Sequence, residues 1–131
     1  MTDRELVEKA KQAAEKAYAP YSGFTVGAAL LAKSCKVYLG CNIENASYSP
    51  TNCAERTAFF KAVSEGEREF TKIAIVGGNE LDFSDYCTPC GVCRQVMSEF
   101  CDGDFTVILG KGDGEYKAIS LGELLPCGFR L

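Results

Sequence analysis

"KIAIVGG", residues 72–78, carries no polar side chain after its first lysine. A half-exposed strand alternates apolar and polar residues. This one does not, so it reads as a strand covered on both faces. Upstream, "PTNCAERTAFFKAV" (50–63) predicts a helix over about 52–65, closed by Gly66. Downstream, the loop "NELDFSDYCTPC" (79–90) leads into a helix over 91–101 bearing Val92, Gln95, Val96, Met97 and Phe100, and "FTVILG" (105–110) is the next strand. Strand, helix, strand, helix, strand implies right-handed parallel crossovers.

Further out, "FTVGAALLA" (24–32) and "KVYLGCNI" (36–43) are apolar, partly β-branched runs joined by "KSC", which predicts an antiparallel hairpin. Thr2 followed by Glu5 forms a capping-box pattern. With Leu6, Ala10, Ala13, Ala14 and Ala17 on one face, it predicts an amphipathic helix over 2–18 that ends at "APYSG". "EYKAIS" (115–120) and "LGELLP" (121–126) close the chain as a short strand and a turn of helix. The class is α/β with a mixed five-stranded sheet. With no internal repeat, low-complexity segment or linker, residues 1–131 are expected to form a single domain.

A chain of 131 residues with 47% hydrophobic composition can bury a full core without disulfide staples. It has no run of eighteen apolar residues, and "MTDRELVEKAKQAAEKAYA" is charged throughout. Neither a membrane span nor a secretory signal is expected, which points to the cytoplasm. The eight cysteines are then expected to be reduced, and some of them to hold metal. A net charge of -4 argues against a nucleic-acid partner, because phosphate backbones are bound through clustered Lys and Arg.

Cys53, in "NCAE", and Cys90 and Cys93, in "PCGVC", fall where an extended segment hands over to a helix. Thiols at helix N-termini face unpaired N–H groups and the positive end of the helix dipole, which favours the thiolate. Two helices can thus aim three sulfurs at one point. Three thiolates on Zn²⁺ leave one tetrahedral position open for water, the pattern of a catalytic site. Glu55, in the first helical turn, can lie near the metal without ligating it and take a proton from water. Three thiolates also carry more charge than the ion. Arg56, which follows Glu55, and Arg94, which follows Cys93, are the candidates to offset that excess by donating to a ligand sulfur.

"NCAE" with "PCGVCRQ" resembles the zinc-dependent nucleoside deaminases, and "NIENASY" (42–48) narrows the resemblance to cytidine deaminases of the short, three-cysteine type, over nearly the whole chain. The resemblance implies a three-layer α-β-α fold and one Zn²⁺ per subunit on Cys53, Cys90 and Cys93. It implies zinc-bound hydroxide attack on C4 of cytidine or deoxycytidine, with Glu55 shuttling protons, to give uridine or deoxyuridine and ammonia in pyrimidine salvage. It further implies Phe24 against the pyrimidine ring, Asn42 and Glu44 on the ribose 3′-hydroxyl, the Ala54 backbone at the base carbonyl, and Arg56 bonded to the ligand sulfurs. Ala46, Tyr48 and Phe129 match positions around a site completed by neighbouring subunits, commonly in a homotetramer. Cys87 is an extra thiol that the family pattern does not require.

Other readings compete. Cys87 or Cys101 as a fourth sulfur would close a structural four-cysteine zinc knuckle and leave Glu55 idle. "CGVC" alone would serve as a redox dithiol, without a role for Cys53 or Glu55. Within deaminases, a nucleoside antibiotic such as blasticidin S is the alternative substrate. Taken singly, Phe24 reads equally as core, Asn42 and Glu44 as solvated loop, Arg94 as a surface ion pair, Tyr48 as loop packing and Phe129 as an anchor for the chain end. Cys35, Cys41, Cys101 and Cys127 read as small buried hydrophobes.

Overall fold

A computed structural model describes residues 1–131. Its elements are α1 (Asp3–Ala14), β1 (Phe24–Ala32), β2 (Val37–Cys41), α2 (Ala54–Ser64), β3 (Phe70–Asn79), α3 (Gly91–Phe100), β4 (Thr106–Gly110), β5 (Tyr116–Ser120) and α4 (Leu121–Leu124). The apolar run 72–78 lies in β3, the central strand of a five-stranded sheet ordered β2-β1-β3-β4-β5. β3 pairs antiparallel with β1 and parallel with β4, and the outer pairs β1·β2 and β4·β5 are antiparallel. The sheet is therefore mixed, as expected.

Both faces of the sheet are covered. Ala29 of β1, Ala74 and Val76 of β3 and Ile108 of β4 pack on Leu6, Val7, Ala10 and Ala14 of α1. Their neighbours in the strands, Ala28, Leu30, Ile73, Ile75, Val107 and Leu109, pack on Ala54, Ala58, Phe59 and Ala62 of α2 and on Cys93 and Met97 of α3. Successive strand residues point to opposite faces, so a strand roofed on both sides must be apolar at every position. Two close approaches set the layer spacing. A Cβ on Gly27 would lie 2.0 Å from the Ala10 carbonyl oxygen, and one on Gly40 would lie 2.3 Å from that of Ala54. α1 and α2 therefore rest directly on strand backbone.

Phe59 of α2 is fully buried, with its ring 5.0 Å from Phe70, 6.2 Å from Phe100 of α3 and 6.2 Å from Phe105. Burying such a ring contributes about 1.5–3 kcal/mol, and each well-placed aromatic pair about 0.5–1.5 kcal/mol more. The cluster ties α2 to α3, the two helices whose first residues carry the sulfurs.

α1 starts at the capping box, with Thr2 and Glu5 bonded reciprocally, but it ends at Ala14 rather than at residue 18. Lys16 and Ala17 turn back onto the carbonyls of Ala13 and Ala14, and Tyr18 then donates its N–H to Asn42 and accepts from Glu44. That parallel bridge draws the chain out of the helix and sets the 18–24 loop beside the 42–48 loop. Cys101 is buried as expected, whereas Cys35 and Cys127 are exposed and Cys41 is half-buried. Cys35 and Cys127 occupy turns with φ of 72° and 60°, where no core is within reach.

Candidate metal centre and active site

Cys53 is the N-cap of α2 and Cys90 the N-cap of α3, both extended (φ -77°, ψ 156° and φ -68°, ψ 166°). Neither side chain caps its own helix, which leaves the sulfurs free. Cys93 sits in the first turn of α3, one side of the same small triangle. Its Sγ is 3.5 Å from Cys90 Sγ, Cys90 Sγ is 3.7 Å from Cys53 Sγ, and all three lie within 4.8 Å of one another. Tetrahedral zinc with Zn–S bonds of about 2.3 Å holds its sulfurs roughly 3.8 Å apart. The donor set and its spacing fit zinc with three protein ligands. Cys87 and Cys101 stand outside the cluster, so the closed four-cysteine knuckle is not formed. The "CGVC" pair is joined by a third sulfur, which an isolated redox dithiol does not need.

The surroundings of Cys53 favour its thiolate. The Cys93 thiol beside it, then Arg56 and Cys90, outweigh burial and hold the Cys53 thiol down to about 5. Arg56 donates from Nη2 to Cys53 Sγ at 3.1 Å. Arg94 does not share this duty: its Nε donates to the Pro89 carbonyl and its Nη1 to that of Leu124, both at 2.7 Å. These two oxygens would otherwise be unpaired, so Arg94 fastens the approach to α3 against α4 rather than pairing with a surface carboxylate.

Glu55 is 4% exposed, in the first turn of α2 beside Cys53. Burial pushes its carboxyl up, its own backbone N–H pulls it partly back, and the charge on Cys53 raises it again, to about 7. A carboxyl near neutrality can both take and return a proton. Ala54, at the helix start, is fully buried.

The 42–48 loop reaches the start of β1. Asn42 Oδ1 accepts from the Val26 N–H at 2.9 Å, and Asn42 Nδ2 donates to the Phe24 carbonyl at 2.7 Å. Glu44 accepts from the N–H groups of Tyr21 (2.9 Å) and Ser22 (3.2 Å) and from the Ser22 hydroxyl, which holds its carboxyl below the ordinary range. Neither residue is a loosely solvated loop side chain. Tyr21 and Ser22 were missed in the sequence, where "APYSG" served only to end a helix. Ser22 also accepts from the Phe24 N–H, an ST turn that "Ser-x-Phe" before a strand can signal.

Phe24 is 39% exposed at the head of β1, on the face of the sheet that α2 and α3 cover. Ala46 is exposed, Tyr48 is 78% exposed and Phe129 65%, so within one chain neither ring is buried. Glu44 and Tyr48 line a surface cleft of about 390 Å³ together with Tyr21, Ser22, Asn45 and Thr51.

With three sulfurs at zinc spacing and a buried carboxyl beside them, the comparison with known proteins decides the lineage: residues 1–109 match the model of the cytidine and deoxycytidylate deaminase zinc-binding region. The chain belongs to that deaminase family. It is 51% identical over 129 residues to the cytidine deaminase of Sporosarcina psychrophila, which spans 98% of this chain and 92% of that one. The crystal structure of cytidine deaminase from Burkholderia pseudomallei superposes with a TM-score of 0.90 at 50% identity, over 98% of this chain and 100% of its own. The blasticidin-S deaminase of Bacillus cereus stands further off, 32% identical over 128 residues (95% of this chain, 89% of that one). As a member of the deaminase family the chain is a zinc-dependent enzyme, with Cys53, Cys90 and Cys93 as the residues able to hold the ion. No helix is long and apolar enough to cross a membrane.

Proposed function

We propose that this enzyme hydrolyses cytidine and deoxycytidine to uridine and deoxyuridine, releasing ammonia, as one domain over residues 1–131. The observation that carries this reading is the buried Glu55 carboxyl, 4% exposed, beside the three-sulfur cluster. Cys53, Cys90 and Cys93 would hold the zinc, which when bound would supply the Lewis acidity that activates water near neutral pH. Glu55 takes the proton released from water and delivers it to N3 of the pyrimidine as C4 becomes tetrahedral. It then carries the second proton to the departing amine, so water enters and ammonia leaves with no net change at the carboxyl. Arg56, bonded to Cys53 Sγ, draws charge off the sulfurs.

Substrate is held by groups with bonding capacity left over. Asn42 Nδ2 has one hydrogen beyond that given to Phe24, and the Glu44 carboxylate has an acceptor position beyond the three it uses. A ribose hydroxyl, which donates and accepts, suits such a pair, and this supports the 3′-hydroxyl assignment. The Phe24 ring packs on the base and the Ala54 N–H meets its carbonyl. Ala46, Tyr48 and Phe129 act at sites shared between subunits of a homotetramer in the cytoplasm. Nucleic acid is not a partner, in keeping with the net charge of -4.

Loss of cytidine absorbance with release of one ammonia per turnover, by a preparation holding one zinc per chain, tests the reading. Cytidine is expected to outpace both blasticidin S and free cytosine. Inactivity on cytidine, or a preference for blasticidin S, overturns it.

A further inference from the structure

The floor of the site holds a feature that the reaction as described does not use. Val26 of β1 pairs with Gly77 of β3, and strand alternation puts Phe24, Val26 and Gly77 on the α2/α3 face, with Ala28 and Ile75. Gly77 has no side chain, and the space above it is taken by two others. A Cβ there would lie 2.7 Å from Cys87 Sγ and 3.2 Å from Phe24 Cε2. Real Cβ contacts do not reach the first value, so the sulfur rests on the glycine backbone with the Phe24 ring edge adjoining. Cys87 packs on the same core as Cys53 and stands three residues before Cys90 in the segment leading into α3. Burial, then the charges of Glu55 and Cys53, push its thiol up to about 12, so it is a neutral, weakly polar wall rather than a nucleophile.

On the reading above, the base is fixed along its N3 and O2 edge by Glu55 and the Ala54 N–H, both on α2. C4 then faces the sulfur cluster, and the ring position next to C4 on the side away from α2 is C5. The approach to α3, which carries Cys87, meets the sulfur cluster through Cys90 and Cys93, across from Cys53 at the start of α2.

We infer that Cys87, seated on Gly77 beside Phe24, forms the wall facing C5 of the pyrimidine and sets which 5-substituted cytidines the enzyme accepts. This inference rests on the proposed cytidine activity, and its test separates the two.

The measurement is kcat/KM for cytidine, 5-fluorocytidine, 5-methylcytidine and 5-iodocytidine, with zinc content as the check on folding. In the unaltered chain kcat/KM is expected to fall as the 5-substituent grows. Cys87→Ala is expected to raise the ratio of 5-methylcytidine to cytidine about tenfold and Cys87→Leu to lower it by a similar factor, the discrimination that one methyl-sized group confers in an apolar pocket. A ratio within twofold of the parent in both zinc-loaded variants overturns the inference. So does a flat size series in the unaltered chain, which needs no variant to fold. An unaltered chain inactive on every cytidine overturns the proposed function instead.

Discussion

Glu55 differs from the seventeen other acidic residues of the chain in being kept out of water, and its proposed role depends on that. Glu55→Gln keeps the shape and a carbonyl oxygen but cannot accept and return a proton. Turnover of cytidine is expected to fall by about 10²–10⁴, the usual worth of a positioned acid–base group, while metal analysis still finds one zinc per chain. Arg56→Gln tests a different effect, since the proton carrier stays and the donor to Cys53 Sγ goes. Losing such a partner of a metal ligand costs roughly 10–100-fold, to be read as a lower kcat or weaker zinc retention against a graded chelator. The residues that such variants probe were legible in the sequence to unequal degrees. Cys53, Glu55, Cys90 and Cys93 could be read because their chemistry imposes short spacings within one helical turn. The clamp on Glu44 could not, because Ser22 lies 22 residues away and only the Tyr18–Ile43 bridge brings the two loops together. Arg94 adjoins the ligand Cys93 and Arg56 stands three residues from Cys53, yet it is Arg56 that reaches a sulfur, while the carbonyls of Pro89 and Leu124 take up the Arg94 guanidinium.

At the scale of elements, the site depends on how closely α2 and α3 are held to the sheet and to each other. Gly27 and Gly40 offer a matched experiment, because a methyl group on either would collide with a helix backbone, α1 in one case and α2 in the other. Overpacking of this kind costs about 1–3 kcal/mol, so both Gly27→Ala and Gly40→Ala are expected to lower the melting temperature. The collision in Gly40→Ala is with the Ala54 carbonyl and the Ala58 N–H, in the turn that carries Glu55. That variant is expected to lose zinc or turnover out of proportion to its stability, whereas Gly27→Ala retains both in whatever fraction stays folded. Equal loss of function in the two would show that α2 has no special hold on the site. The elements themselves were readable from periodicity, since β1, β3, β4 and both sulfur-bearing helices fall within a few residues of their expected bounds. The tail of α1 was not. Ala17 continues the apolar face, but a tertiary bridge at Tyr18 outweighs local helix preference there.

For the whole molecule, zinc would add a direct link between the N-termini of α2 and α3 to the core contacts that Ala54, Cys53 and Cys93 already share. Stripping it with a chelator is expected to destabilise the fold by RT ln(1 + [Zn]/Kd), about 4 kcal/mol at a thousandfold excess over Kd, and to abolish turnover until zinc is restored. The same treatment should change which thiols react with a mild alkylating reagent. Cys35 and Cys127 are exposed and react in either state, whereas Cys90, exposed but a ligand, joins them only after chelation. Peptide mapping that found Cys90 modified before chelation would argue against a zinc thiolate there.

The distribution of exposed apolar side chains bears on assembly. Tyr18 (55%), Tyr21 (58%), Ile43 (45%) and Tyr48 (78%) are exposed on the paired 18–24 and 42–48 loops, Val92 (57%) in the first turn of α3, and Phe129 (65%) at the chain end beside Gln95 and Ser98 of α3. The run of exposed aromatic and aliphatic groups on the two paired loops calls for a partner surface, and the proposed homotetramer would supply it while closing each site with a neighbour's residues. Equilibrium sedimentation is expected to give four times the 14.2 kDa chain mass. Phe129→Asp and Tyr48→Asp should each yield smaller species with reduced cytidine turnover. Aspartate tolerates the φ of 62° at position 48, so the second variant removes the ring without straining the turn. If the sites are shared, activity must fall with dissociation, and the specific activity of the unaltered enzyme must drop on dilution through its assembly constant. A 14.2 kDa species with full activity would show that each chain completes its own site.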